Sequence, residues 1–347
     1  MLRMRIEILP LLPILLAALG GLARAADEPL RVVATTPELG ALVRAIGGDQ
    51  VSLTVLAKPT EDPHFVEARP SYVKALSSAD LYVQSGLELE MGYAPVLLSG
   101  ARNPRIQPGQ PGYLDASVAI TPLDVPRVTI DRSMGDVHPR GNPHYLLDPL
   151  NGLKVAALLR ETLAARRPQA SAQFARRYDD FRQRLNDALV GPALARKYDA
   201  EKLAVLFERG TLVSFLEQQG DAATLGGWLG AVAPYHGAAA VDDHPIWTYF
   251  ARRFGLRIVG HLEPKPGVPP TTRHLQDVIE MMRADGVRLL LAAAYYDPRH
   301  AEFVASRTGA RVVRLANQPG ARPGTDDYLA MMNYNVAQLV DALRGGG

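Results

Sequence analysis

One amphipathic stripe organises this chain. Phe174, Tyr178, Phe181, Leu185 and Leu189 recur at spacings of four, three, four and four residues, so all five share one face of a helix. Arg and Asp fill the other face. The stripe predicts a helix over 171–189, near the middle of the 347 residues. On both sides of it, short apolar runs alternate with helix-like stretches. Strands are expected over 30–36, 51–57 and 81–84, with helices over 37–46 and 70–78 between them. Past the stripe, 203–207, 238–241, 256–259, 289–293 and 312–315 are candidate strands, and a last helix is expected over 328–343. Such alternation is the pattern of parallel sheets covered by helices. The fold class expected is α/β, with two α/β lobes that each hold a mostly parallel sheet. An N-terminal lobe over 26–168 and a C-terminal lobe over 193–347 are joined by one long bridging helix over 169–192.

The ends narrow the setting. Arg3 and Arg5, an apolar run over 8–22 and Ala23-Arg24-Ala25 read as a signal peptide over 1–25. Pro10, Pro13 and Gly20-Gly21 break the run, so it is a poor membrane span. Cleavage would remove three basic residues and one acidic one, taking the totals from 38 and 36 to 35 and 35. The mature chain is then formally neutral, and nucleic acid is not an expected partner. The sequence has no cysteine. Disulfides and thiolate ligands are therefore excluded, and stability must come from an apolar core. A lipid anchor would also need a cysteine at the cleavage site. The expectation is a periplasmic monomer that is not lipid-anchored.

A chain without cysteine has imidazole as its main ligand for a transition metal. Three of the eight histidines sit in distinctive frames. His64 ends Thr60-Glu61-Asp62-Pro63-His64. His144 lies in Gly141-Asn142-Pro143-His144-Tyr145-Leu146-Leu147-Asp148-Pro149. His244 lies in Asp243-His244-Pro245-Ile246-Trp247-Thr248-Tyr249. Three imidazoles meeting from separate loops would suit Zn²⁺.

Taken in order, these frames resemble the solute-binding receptors of zinc/manganese-type bacterial ABC transporters. Val32-Val33-Ala34-Thr35-Thr36 resembles the family's first strand, and Gly86-Leu87-Glu88-Leu89-Glu90 resembles one of its strand ends. Asp62-Pro63-His64, the 141–149 frame, and His244 through Leu256 resemble its three metal motifs. The 262–270 segment, Leu-Glu-Pro-Lys-Pro-Gly-Val-Pro-Pro, and Thr308-Gly309-Ala310 fit a subgroup. The resemblance covers nearly the whole mature chain. It implies two α/β lobes bridged by a rigid helix, with metal held between them by His64, His144 and His244. It also implies a cognate ABC permease as partner, with a periplasmic metallochaperone as a further one. The family usually adds a carboxylate from a late Asp-Pro pair, whereas this chain has Leu315-Ala316-Asn317-Gln318-Pro319. Asn317 brings no charge, so the fourth position is left to water or to an acid such as Glu263 or Asp297. Losing a carboxylate favours Zn²⁺ over Mn²⁺.

Other residues carry weaker signals. The 133–142 stretch reads as a mobile loop. Its His138 reads as a solvated loop residue, with transient metal capture as the alternative. His236, His261, His274 and His300 lack comparable frames and read as surface or satisfied histidines. Asp148 is a helix cap that could also orient a ligand. Glu61-Asp62 and Asp242-Asp243 are loop charge and caps, or they tune the neighbouring histidines. Trp247 and Tyr249 read as core residues. Tyr295-Tyr296 falls at a plausible cleft edge. Glu88 and Glu90 have no partner acid or substrate pocket to make a catalytic pair. A helix starting at Pro245 would aim its positive end at the site and oppose a cation. The function expected is metal capture and delivery without chemistry, with zinc as the bound ion. Two rivals are weighed. A three-His zinc hydrolase is opposed by the lack of an HExxH motif or a positioned base. A receptor for a metal chelate predicts a wide cleft with few converging histidines.

Overall fold

The structure, a computed structural model, describes residues 28–128, 135 and 137–345. The expected signal peptide, and residues 133, 134 and 136 of the expected loop, lie outside the described residues. Two sheets of four parallel strands form the frame. The first contains β1 (Leu30–Ala34), β2 (Val51–Val55), β3 (Leu81–Gln84) and β4 (Tyr113–Asp115), in the order β2-β1-β3-β4. The second contains β5 (Ala239–Asp242), β6 (Arg257–His261), β7 (Leu289–Ala292) and β8 (Arg311–Arg314), in the order β6-β5-β7-β8. Leu30 faces Val51 and Val32 faces Leu81 in the first sheet, while Ala240 faces Leu289 in the second. Strand order reverses between β1 and β3, and again between β5 and β7. In open α/β sheets the crevice at the carboxyl ends of the strands, where order reverses, is the place for a ligand.

The apolar runs explain the sheets. Leu-Leu-Leu-Ala of β7 is buried along its whole length, and Leu-Tyr-Val of β3 is buried too. Both read as the continuous runs of a sheet covered on both faces. A single core cluster continues from one half to the other. It joins Val32, Leu39 and Leu42 to Phe250, Leu291 and Met332. The helix Ser171–Val190 feeds it with Phe174, Phe181, Leu185 and Leu189, four members of the stripe. The helix Pro149–Arg166 packs against this one. Smaller clusters close the outer faces, around Val33, Tyr82 and Leu97 on the first sheet and Val241, Ile279 and Leu290 on the second.

The halves are pinned by polar contacts as well. Arg253 donates to both oxygens of Asp148, at 2.8 and 2.9 Å, and both side chains are buried. Asp148 also caps Pro149–Arg166 by accepting the Leu150 N–H. The Tyr328 hydroxyl, on the helix Tyr328–Arg344, donates to the Leu146 carbonyl at 2.6 Å. Gly152 is needed there, because a Cβ on it would sit 2.2 Å from the Tyr328 oxygen.

Two expectations need correction. Residues 203–207 are not a strand but part of the helix Ala200–Glu208. Asp199 caps it by accepting the N–H groups of Glu201 and Lys202. Leu203, Ala204 and Phe207 are its buried face, and a five-residue apolar run cannot distinguish that face from a strand. β4 was not foreseen, because three residues show no periodicity. Among the described residues, no helix is long and apolar enough to cross a membrane.

Candidate metal centre

His64, His144 and His244 come from three different loops and meet between the sheets. His64 follows β2. Its backbone N–H and ring Nδ1 lie 3.0 and 2.7 Å from one oxygen of Asp62. An Nδ1–H given to that carboxylate leaves the Nε2 lone pair facing inward. Burial pushes the Asp62 carboxyl up, but the His64 ring and N–H outweigh it and hold the group below its ordinary value. His244 follows β5 and repeats the device, with Nδ1 2.7 Å from Glu263. Glu263 in turn accepts the Gly267 N–H at 2.9 Å. Asp243 anchors the backbone here by accepting the His244 N–H at 3.0 Å and the Ala293 N–H, beyond β7, at 2.6 Å. Burial drives its carboxyl up to about 8.

His144 is placed by Asn142. The Asn142 side chain accepts the His144 N–H at 3.0 Å and donates to Asp124 and to the Pro245 carbonyl at 3.0 and 2.6 Å. Tyr249 adds a second cross-link, since its hydroxyl donates to the Asn142 carbonyl and accepts the Leu123 N–H. The His144 Nε2 is buried without a hydrogen-bond partner. Its ring is held neutral, with a pKa well below the ordinary histidine value. Burial is the main cause, followed by the neighbouring His64, His244 and His138.

The ring centroids of His64 and His144 are 5.1 Å apart, those of His144 and His244 6.0 Å, and those of His64 and His244 6.2 Å. Three imidazoles around one tetrahedral Zn²⁺, at about 2.0–2.1 Å per nitrogen, place their centroids about 5 Å apart. The trio stands slightly open by comparison. In keeping with that, no group of three or more His, Asp or Glu among the described residues is drawn up tightly enough to grip an ion as it stands. A cavity of about 760 Å³ opens beside the rings, with His138, His144, His244 and His261 in its wall.

A fourth ring, that of His138, stands beside these three. The His138 Nε2 lies 3.2 Å from the His64 Nε2, with the two rings tilted by 29° and their centroids 5.2 Å apart. His138 is therefore not a solvated loop residue. Two residues on, Arg140 pairs with Glu88 at 2.5 Å and ties this segment to the end of β3. The only sequence signal was its spacing of six residues before His144.

The other candidates separate clearly. Glu263 lies behind His244 on the Nδ1 side, away from the inward-facing nitrogens. Asp297 caps the helix Pro298–Thr308 and is gripped by Arg299. Asn317 is buried and accepts the Ala294 N–H at 3.3 Å, and the Gln318 amide reaches the Glu61 carbonyl. Tyr296 stacks on the His244 ring at 5.7 Å and so lines the cleft, as expected of a cleft-edge residue. Trp247 and Tyr249 are buried core. Glu90 is buried beneath the loops while Glu88 faces Arg140, so the two do not form a catalytic pair. His261 pairs with the buried Asp242, His274 reaches the His261 carbonyl, and His236 reaches the Phe207 carbonyl. Residues 245–247 form a turn and the helix starts only at Thr248. The expected opposition between a helix at Pro245 and a cation is thereby removed.

The family model for the periplasmic zinc-uptake complex component A, ZnuA, matches residues 32–190 and 229–342. The chain belongs to this family. The ZnuA-family chain is also similar to SloC of Streptococcus mutans, a metal ABC transporter substrate-binding lipoprotein. The two are 21% identical over 323 residues, 92% of each. PsaA of Streptococcus pneumoniae, a manganese ABC transporter substrate-binding lipoprotein, is 22% identical over 321 residues, 91% of this chain and 90% of PsaA. A crystal structure of ZnuA superimposes with a TM-score of 0.64 at 20% identity, covering 91% of this chain and 99% of that one, which shows the shared fold. The ZnuA-family chain is thus a metal-binding substrate receptor of an ABC transporter and not an enzyme, and such receptors work with a membrane permease. One expectation is overturned. SloC and PsaA are named lipoproteins, so the argument from missing cysteine to an unanchored protein does not stand, although an extracytoplasmic place fits.

Proposed function

We propose that this receptor captures one Zn²⁺ with the Nε2 atoms of His64, His144 and His244 and delivers it to its permease. The observation that carries this reading is the His144 Nε2, which is buried, unpartnered and flanked by the two other rings. A buried acceptor left without a partner is costly, and a cation relieves that cost. Asp62 and Glu263 sit one bond outside the ligands, so two carboxylates offset the charge of a divalent ion without touching it. Imidazoles without an inward carboxylate suit Zn²⁺ better than Mn²⁺. The manganese in the name of PsaA is the specific reason to test that preference.

The test is metal content by mass spectrometry after equilibration with equal zinc and manganese. It is run on the protein and on a His64→Ala/His144→Ala/His244→Ala variant. About one zinc per chain, absent from the variant, is the expected result. Manganese in its place would overturn the zinc assignment. No metal in the native protein would overturn the site.

A further inference from the structure

We infer that His138 is the fourth ligand and completes a tetrahedron of four imidazoles. This rests on the three-histidine reading above. Two nitrogens bound to one tetrahedral Zn²⁺, each about 2.0–2.1 Å away, lie about 3.3–3.4 Å from each other. The His138 and His64 Nε2 atoms are 3.2 Å apart, and their ring centroids are 5.2 Å apart. That spacing already fits a shared ion. The Nε2 of His144 is buried and unpartnered, on a ring whose centroid is 5.1 Å from that of His64.

The other candidates for the position are committed elsewhere. Asp62 and Glu263 face the Nδ1 atoms of His64 and His244. Asp297 is held by Arg299 and its own helix. The Asn317 oxygen accepts the Ala294 N–H. His138 therefore supplies what the Asn at 317 does not, from a segment tied by Arg140 to Glu88.

Without metal, one of the two facing Nε2 atoms must carry a proton, which it donates to the other. Binding takes both lone pairs. If His138 carries that proton, it leaves Nε2 and Nδ1 holds one instead. The ion then has four neutral nitrogens and no oxygen around it, which is the ligand set for Zn²⁺ and not for Mn²⁺.

X-ray absorption at the zinc edge counts imidazoles directly. The expected result is four in the native protein, and three plus one oxygen in His138→Ala and in His138→Gln. Zinc affinity in both variants should fall by about 10-fold or more, since a direct ligand should cost no less than an outer partner does. Three imidazoles plus oxygen in the native protein, with variant affinity unchanged, would overturn the role of His138 and leave the three-histidine receptor standing. A native protein that holds no zinc would overturn both.

Discussion

The two crevices can be compared directly, because each is braced by one buried acid. In the first sheet Glu90 accepts the Thr35 hydroxyl beyond β1, at 2.7 Å, and the Ser85 and Gly86 N–H groups beyond β3, at 2.6 and 3.1 Å. In the second, Asp243 accepts the His244 N–H beyond β5 and the Ala293 N–H beyond β7. Each carboxylate thus laces together the ends of the two central strands. The difference lies in what comes next along the chain. Asp243 adjoins His244, so its brace also sets a site residue. Glu90 adjoins no histidine, and the histidines of that half, one before it in sequence and one after, stand on loops set by Asp62 and Asn142. One brace joins stability to the site, and the other serves stability alone.

The comparison holds only while the crevices face each other, so the largest effect should come from the contact between halves. Arg253→Ala leaves Asp148 buried without its partner, and about 3–5 kcal/mol of stability should be lost. Urea unfolding measures this, and a loss below 1 kcal/mol would mean that Asp148 is readily rehydrated. Asp243→Ala strands three buried N–H groups, those of His244, Ala293 and Trp247, and should cost about 3 kcal/mol or more. It should also weaken zinc binding, as measured by competition with a chelator. Unchanged affinity would dissolve the distinction between the braces.

Glu90→Gln sharpens the contrast through pH. Burial raises the Glu90 carboxyl from 4.5 to about 7 in the folded protein. Between those values the folded state binds more protons than the unfolded one, so the contribution of Glu90 is fully present below 4.5 and lost as pH rises through about 7. Subtracting the urea stability of Glu90→Gln from that of the wild type should reveal that decline, while zinc affinity stays within about twofold. A difference that is flat from pH 4.5 to 7 would show that Glu90 ionises normally. The smallest effect is expected for Arg140→Ala, whose partly exposed pair with Glu88 contributes about 0–1 kcal/mol. Its consequence should appear in zinc affinity, through His138, and not in the melting temperature.

Much of this was legible in residue order. The stripe from Phe174 to Leu189, the Pro that opens the helices at 37, 70 and 149, and the apolar runs of β3 and β7 are local signals, and the structure keeps them. The convergence of His64, His144 and His244 was expected from their frames. What was hidden is what distance in space decides. His138 gains its meaning from a contact across 74 residues, and Glu263 from one across 19. The 203–207 error has the same root, because only the tertiary environment shows that Leu203 and Phe207 share a helical face. The role of Arg253 required knowing that Asp148, 105 residues earlier, lies opposite.

The Tyr328 hydroxyl reaches back 182 residues to the Leu146 carbonyl, in the turn between His144 and the helix Pro149–Arg166. A chain is made from its amino end, so that turn emerges long before the side chain that fastens it. Closing so long a loop costs more chain entropy than pairing strands that lie closer together in sequence. The imidazoles should therefore acquire their final spacing late in folding, and a newly made molecule should pass through a period with both halves formed and little hold on its ion.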